Sequence, residues 1–337
     1  MKQITVEQTE AGQRLDKLLS RYLKEAPRSF LYKMLRKKNI TLNRKKADGS
    51  EKVQAGDEIC IFLSQETYEK FAGVPEEKKA AVYPVTALDI LYEDAHVILI
   101  NKPVGMLTQK AKPSDVSLNE YLLGYLEQQR GKEKAAPNGA VQVNYAFRPS
   151  VCNRLDRNTS GIVICGKSVA GLRKMSELLR ERTMHKYYQC LVAGQVRNEQ
   201  SIQGYLEKDP KTNKVRIQNC EGEETAYIET KYRPLQVFSD STLLEVCLIT
   251  GRSHQIRAHL ASEGHPIIGD YKYGSQKINE TYKKRYGLHS QLLHAGRLEM
   301  PVLEAPFEAL SGQIFQAEPP VLMRKILKAC ADEGRMG

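Results

Sequence analysis

Apolar residues recur at helical spacing in Leu15, Leu18, Leu19, Tyr22 and Leu23, which are positions i, i+3, i+4, i+7 and i+8 of one stretch and predict an amphipathic helix. A second helix is predicted just downstream. Ser29 is its expected cap, and Phe30, Leu31, Met34 and Leu35 form its buried face. The period then changes. Ile40-Thr41-Leu42-Asn43 and Glu58-Ile59-Cys60-Ile61-Phe62-Leu63 read as short strands, the latter entered through a Gly56-Asp57 turn. Residues Ser64 to Val85 carry mixed charge, Gly73 and Pro75 without periodicity, and predict a flexible linker.

Beyond the linker, Ile90-Leu91-Tyr92 and Val97-Ile98-Leu99-Ile100 flank a polar tetrapeptide, the pattern of a hairpin. A helix is predicted over Ser117–Gln129, with Leu118, Tyr121, Leu122, Tyr125 and Leu126 on one face, followed by an insertion loop over Gly131–Asn144. Strands are expected at Ile162–Cys165, Tyr187–Val192 and Leu243–Thr250. Helices are expected after a Ser168 cap, burying Leu172, Met175, Leu178 and Leu179, and from Ser253 to Gly264. No βαβ rhythm runs through this region, so a doubly wound parallel sheet is not supported; periodicity alone gives an α+β class.

Charge narrows the picture. The 337 residues carry a formal net charge of +11, a balance that favours polyanionic partners. Eight basic residues, Arg28, Lys33, Arg36, Lys37, Lys38, Arg44, Lys45 and Lys46, fall in one segment that contains no acidic residue. Such a run can be a solvated face. Its confinement to one helix-and-strand segment favours a platform for RNA phosphates. No run approaches the roughly 18 apolar residues of a membrane span, and the N-terminus lacks a signal-peptide apolar region. A soluble cytoplasmic protein is expected. The seven cysteines form no Cys-x-x-Cys pair, which argues against a disulfide framework or zinc site and fits a reducing compartment.

The most informative run is Arg154-Leu155-Asp156-Arg157-Asn158-Thr159-Ser160-Gly161. Two guanidinium groups flank one carboxylate and are expected to keep it ionised. That makes Asp156 a candidate nucleophile or electrostatic stabiliser rather than a general acid. An isolated Arg-Asp-Arg cluster is more commonly a surface ion-pair network.

Asn153-Arg154-Leu155-Asp156 through Gly161, followed by Ile162-Val163-Ile164-Cys165, resembles the signature of the RluA-type pseudouridine synthases: His-Arg-Leu-Asp, two variable residues, Thr-Ser-Gly and an apolar strand. Three further blocks match in order. They are Ile98-Leu99-Ile100-Asn101-Lys102-Pro103-Val104-Gly105, Lys186-Tyr187-Tyr188, and Thr250-Gly251-Arg252-Ser253-His254-Gln255-Ile256-Arg257-Ala258-His259-Leu260, the last continued by His265-Pro266-Ile267-Ile268-Gly269-Asp270. The chain departs from the pattern at Asn153, where many members carry His. The basic N-terminal segment is similar to the small alpha-L (S4) RNA-binding module found ahead of many such enzymes, and the combination is closest to an RluC-like subgroup.

The resemblance implies a large mixed, mainly antiparallel sheet with flanking helices, preceded by the alpha-L domain. The expected division is an S4-like domain over 1–64, a linker over 65–85 and a catalytic domain over 86–330. It implies isomerisation of uridine to pseudouridine in RNA, with large-subunit ribosomal RNA as the expected substrate. Asp156 is the implied nucleophile, acting at the anomeric carbon or assisting an elimination there. Tyr188 would stack on the target uracil and could move a proton; an isolated strand Tyr would simply pack in a core. Arg257 is the expected partner of Asp156, gripping it with two hydrogen bonds. Arg154 would fill the space of an extruded base, Arg252 would touch RNA or brace its loop, and Lys186 would meet a phosphate or an internal carboxylate. Gly161 would allow a tight turn into the strand.

The isomerisation needs no cofactor, and none is expected. His254 and His259 lie five residues apart rather than the four of a helical metal pair, so no metal is expected either. The expected partner is RNA, with no membrane and no protein partner, and the chain is expected to be a monomer. Three other readings use the same residues: the same chemistry on tRNA, a non-catalytic RNA-binding or ribosome-assembly protein, and glycoside hydrolysis with Asp270 as a second carboxylate.

Overall fold

The N-terminal pattern folds into two helices against a small sheet. The computed structural model describes residues 2–72, 83–133, 147–209, 212 and 214–336. Its first elements are β1 (Lys2–Thr5), α1 (Leu15–Tyr22), α2 (Arg28–Arg36), β2 (Ile40–Leu42), β3 (Lys45–Lys46), β4 (Glu58–Ile61) and α3 (Gln65–Ala72). The four strands pair antiparallel in the order β1-β4-β2-β3. Leu15, Leu18 and Leu19 of α1 and Leu31 and Leu35 of α2 bury against Ile40, Ile59 and Ile61 of the sheet. Each such side chain contributes about 1.5–3 kcal/mol on leaving water. All eight residues of the basic run remain exposed on the outside of this unit. Arg44 alone among them forms a recorded ion pair, 3.2 Å from Glu58.

Two expectations change here. Helix α2 is not capped by Ser29. Pro27 stands at its N-cap, and the Pro27 carbonyl accepts from the backbone N–H groups of Phe30 (2.9 Å) and Leu31 (3.2 Å), so the helix opens two residues earlier. Proline's fixed φ suits such a start. The expected linker over 65–85 also begins as structure. Helix α3 packs Tyr68 and Phe71 on the N-terminal core, with the Phe71 ring 4.2 Å from Phe30 and the Phe71 carbonyl accepting from the Glu25 N–H at 3.0 Å. The first unit therefore extends to Ala72, and residues 73–82 of the expected linker lie outside the described residues.

The second unit contains β5 (Ile90–Glu93), β6 (Val97–Lys102), α4 (Leu118–Glu133), β7 (Ser150–Val151), β8 (Ser160–Gly166), α5 (Val169–Glu181), β9 (His185–Ala193), β10 (Gln200–Lys208), β11 (Val215–Gln218) and β12 (Thr225–Val237). It continues with β13 (Ser241–Leu248), α6 (Gln255–Ser262), α7 (Gln276–Tyr286), β14 (Leu293–Glu299), β15 (Ile314–Gln316) and α8 (Val321–Met336). The expected insertion loop is shortened by α4, which continues to Glu133; residues 134–146 fall outside the described set. The strands form one 11-stranded sheet, ordered β11-β10-β12-β13-β9-β14-β8-β6-β5, with β15 on β14 and β7 on β8. The sheet is mixed and mainly antiparallel: β14 and β8 run parallel, over His294↔Ser160 and Ala295↔Gly161.

That parallel seam depends on Gly161. Its φ is +111°, and a Cβ there would lie 2.2 Å from the Ala295 carbonyl oxygen. Only glycine fits both constraints. The Ser168 cap of α5 is as expected, its hydroxyl accepting from the Gly171 N–H at 3.0 Å, and Met175 and Leu178 are buried beneath the helix. The strands β13, β9, β14 and β8 are neighbours at the centre of the sheet, and the loops before β8 and after β13 carry Asp156 and Arg252.

Candidate active site

Asp156 lies in the loop between β7 and β8, and the sequence folds that loop by anchoring its backbone. Asn153 continues the β7–β8 ladder with its side chain: its amide oxygen accepts from the Ile164 N–H at 2.8 Å. The departure from His at this position thus has a local role in holding the strand edge. Thr108 clamps Leu155 at both backbone groups, donating to its carbonyl (2.8 Å) and accepting from its N–H (3.1 Å). Lys102, completely buried, donates to the carbonyls of Pro103 (2.9 Å), Met106 (2.9 Å) and Arg157 (3.1 Å). Burial pushes its ammonium down to about 8, with the Asp156 charge opposing the shift. Three carbonyl acceptors match the three donors of the protonated form.

Arg257, on α6, meets Asp156 from the other side of the cleft. Its Nη1 donates to Asp156 Oδ2 at 2.8 Å. The other two donors engage Asp270: Nε to Oδ2 at 2.6 Å and Nη2 to Oδ1 at 2.9 Å. The expected two-bond grip on Asp156 is therefore a single bond, because the forked contact is made with Asp270. Asp270 is fully buried and also accepts from the backbone N–H groups of Lys272 (2.9 Å) and Tyr273 (3.1 Å). Burial opposes the Asp270 charge, but the Arg257 hydrogen bonds outweigh it and hold the carboxyl below its usual range. Burial likewise opposes the charge on Arg257, and the two carboxylates more than offset it, so the group stays cationic.

Arg154 and Arg157 do not hold Asp156. Both side chains are exposed, and among the described residues neither lies within 4.0 Å of its carboxylate. Adjacent residues in a turn project in different directions, so closeness in sequence did not become contact. The cation that reaches Asp156 is 101 residues away. Arg154 and Arg157 instead line the cleft, of about 950 Å³, together with Asp156, Tyr188 and Arg252.

Tyr188 sits on β9, paired with Val246 of β13, and its side chain is buried at the cleft wall. Burial, then the nearby Asp156 carboxylate, push its hydroxyl well above the usual tyrosine range, so it keeps its proton. Tyr187 faces the other way, as strand alternation requires. Its ring lies 3.6 Å from the Arg297 guanidinium, and its hydroxyl reaches Glu299 at 3.3 Å. Lys186 lines the cleft with no carboxylate within 4.0 Å among the described residues, and burial lowers its ammonium. Of its two expected partners, an internal carboxylate is absent from that set.

The loop after β13 is curled by Gln255. Its side-chain oxygen accepts from the Thr250 hydroxyl (2.8 Å) and the Arg252 N–H (3.1 Å), which leaves Arg252 exposed at the cleft. His254 and His259 serve separate neighbourhoods. The His259 ring is 3.0 Å from the Thr230 hydroxyl and is pushed down to about 4 by burial. Among the described residues no group of three His, Cys, Asp or Glu side chains is arranged to hold a metal ion. Sequence reasoning passed over Thr108 and the buried role of Lys102. A lysine closing an apolar strand, as in Ile98-Leu99-Ile100-Asn101-Lys102, was the available signal for the second.

A buried arginine shared by two carboxylates, with a protonated tyrosine across a cleft rimmed by arginines, matches the layout expected of an RNA isomerase. Residues 96–262 match the RNA pseudouridylate synthase family, and residues 13–59 match the S4 domain. The chain belongs to the RNA pseudouridylate synthase family, whose members are isomerases acting on RNA, and it carries an S4 RNA-binding domain. It is 31% identical over 315 residues to the ribosomal large subunit pseudouridine synthase C of Vibrio vulnificus (strain CMCP6), covering 90% of each chain. The protein of that name from Escherichia coli (strain K12) is 31% identical over 339 residues, covering 99% of this chain and 97% of its own. The solved structure of human RNA pseudouridylate synthase domain containing 4 shares the fold, with a TM-score of 0.57 at 22% identity over 72% of this chain and 92% of that one.

Proposed function

We propose that the protein isomerises uridines of large-subunit ribosomal RNA to pseudouridines, with Asp156, Tyr188 and Arg257 as its catalytic residues. The observation that carries this reading is the Asp156 carboxylate, tied at Oδ2 to Arg257 and lining the same cleft as Tyr188. The reaction breaks the bond from the ribose anomeric carbon to uracil N1, turns the base, forms the bond to C5 and releases the C5 proton. A carboxylate either adds to the anomeric carbon or takes a proton in an elimination. Both routes need one oxygen fixed and the other free. Arg257 supplies the fixed point, and Tyr188 offers a ring for stacking and a hydroxyl that has kept its proton. Arg154, exposed on the rim, is placed to occupy the space of an extruded base. Arg252 contacts RNA at the same rim.

Glycoside hydrolysis finds no support, because Asp270 is fully buried and committed to Arg257 instead of flanking a substrate bond. The large-RNA substrate is supported by the names of the relatives and by a basic platform separate from the cleft. In this reading residues up to 72 form the RNA-binding unit and 86–330 the catalytic unit. A monomer is part of the same proposal. A cytoplasmic location follows from this reading if the substrate is ribosomal RNA; no helix among the described residues is long and apolar enough to cross a membrane.

The substrate is tested by tritium release from transcripts labelled at uracil C5. Release from large-subunit ribosomal RNA, with none from bulk tRNA, is expected; release from tRNA alone would move the substrate and leave the reaction class standing. In the same assay Tyr188→Phe is expected to lose about 10²-fold or more if the hydroxyl transfers a proton. Tyr187→Phe, on the opposite face, should stay within a few-fold of wild type. Equal effects from both would reduce Tyr188 to a packing role.

A further inference from the structure

The turn at residues 270–273 reaches Asp156 by two routes, the first of them Asp270 through Arg257. The second runs through Tyr273 and His254. The Tyr273 hydroxyl accepts from the Val215 N–H at 3.0 Å and lies 2.9 Å from His254 Nδ1. The other ring nitrogen of His254, Nε2, stands 3.9 Å from Asp156 Oδ1, the oxygen that Arg257 leaves free. His254 adopts φ 57°, a left-handed conformation costing about 1–3 kcal/mol for a non-glycine residue. It is held there by the Gln255 curl and by edge-on packing against the Tyr273 ring, 5.7 Å between centroids.

Hydrogen-bond accounting favours one tautomer. A tyrosine hydroxyl has one hydrogen to give. With the Val215 N–H donating to its oxygen, both neighbours are best satisfied when the Tyr273 hydrogen points to His254 Nδ1, which then accepts. The single proton of neutral His254 is therefore on Nε2, the nitrogen that faces a carboxylate oxygen. The reverse tautomer would place a second donor on the Tyr273 oxygen and turn a lone pair toward the Asp156 carboxylate. Burial, which lowers the His254 pKa against the opposing charge of Asp156, agrees with a neutral ring.

We propose that Tyr273 sets the tautomer of His254 so that its Nε2–H restrains the free oxygen of Asp156, making both of them positioning residues for the nucleophile. The inference rests on the isomerase reading above and adds residues to it; Asp270 and Tyr273 lie beyond the segment that matches the family. At 3.9 Å the N–H acts as an aligned dipole rather than a hydrogen bond. Its effect is to limit rotation of the carboxylate about the one bond that Arg257 makes. Restraint of this kind governs how often the nucleophile is in line with its target, so it should appear in the rate of the chemical step and not in RNA affinity.

The experiment is a double-mutant cycle read by single-turnover tritium release at saturating ribosomal RNA. Melting temperature and RNA Kd are measured for every variant. Tyr273→Phe is expected to slow the step about tenfold, and His254→Leu by about 10²-fold, with Kd unchanged. His254→Gln, which restores an N–H donor near the position of Nε2, should recover about tenfold over His254→Leu. Tyr273→Phe added to His254→Leu should cost less than about twofold, because its route is already cut. If His254→Leu lowers the melting temperature, the same comparison is made in the His254→Gln background. An equal cost of Tyr273→Phe with and without His254, or wild-type rates for both single variants, overturns the proposal. An active Asp156→Asn would instead overturn the isomerase reading on which it rests.

Discussion

Asp156→Asn is expected to abolish pseudouridine formation, with a loss of at least about 10³-fold, or about 4 kcal/mol of transition-state stabilisation. The substitution keeps the size of the side chain and allows an oxygen to keep the 2.8 Å contact with Arg257 Nη1. What disappears is the charge that attacks or takes a proton. The loop is anchored elsewhere, through Leu155, Arg157 and Asn153, so RNA binding should be nearly unchanged. Tritium release and a filter-binding isotherm, measured on the same preparation, separate the two quantities. Retention of more than a few per cent of the wild-type rate would show that Asp156 is not the nucleophile.

The largest effect on stability is expected from Arg257→Met. This change removes the counter-charge of two carboxylates, one of which, Asp270, has no access to water. Breaking a buried pair from one side costs about 3–5 kcal/mol, since the remaining charge is stranded. Urea denaturation should show that loss, and activity should fall with it as Asp156 loses its fixed point. Arg257→Lys keeps one charge but cannot make the forked contact with Asp270 and also reach Asp156. It should be intermediate in stability and close to inactive. An Arg257→Met protein as stable as wild type would mean that Asp270 is not held as part of an ion pair.

The sequence carried the elements and the roster of the site better than it carried the partnerships. Helices α1 and α5 announced themselves because their apolar residues return every turn, and the hairpin of β5 and β6 because two apolar runs flank a polar tetrapeptide. Helix α3 escaped notice because only Tyr68, Phe71 and Ala72 carry its contact with the core, among charged neighbours. Asp156, Tyr188 and Arg257 could be nominated by pattern, and they do share one cleft. The Arg257–Asp156 pair was also expected and is present, but the rest of the ion pairing could not be read, because a charge selects its partner by approach in space. The adjacent Arg154 and Arg157 suggested the wrong cations for Asp156, and the fork of Arg257 was assigned to Asp156 when Asp270 receives it. The environment of Tyr273 was likewise invisible, since Val215 and His254 reach it from separate elements.

The shared arginine also sorts the parts of a nucleotide. At the centre of the site Asp156 and Asp270 share one guanidinium, and the Lys102 ammonium is tied to three backbone carbonyls, while Arg154, Arg157, Arg180, Arg182 and Arg252 line the cleft around them. A phosphate is attracted to that rim and repelled by the Asp156 carboxylate itself. A neutral uracil carries no such penalty and can move inward past the point where its own backbone must stop. In the proposed reading, the same field that draws a polyanion to the protein holds the strand at the edge and admits the base alone, so that charge sets depth of entry before any atom of the base is recognised.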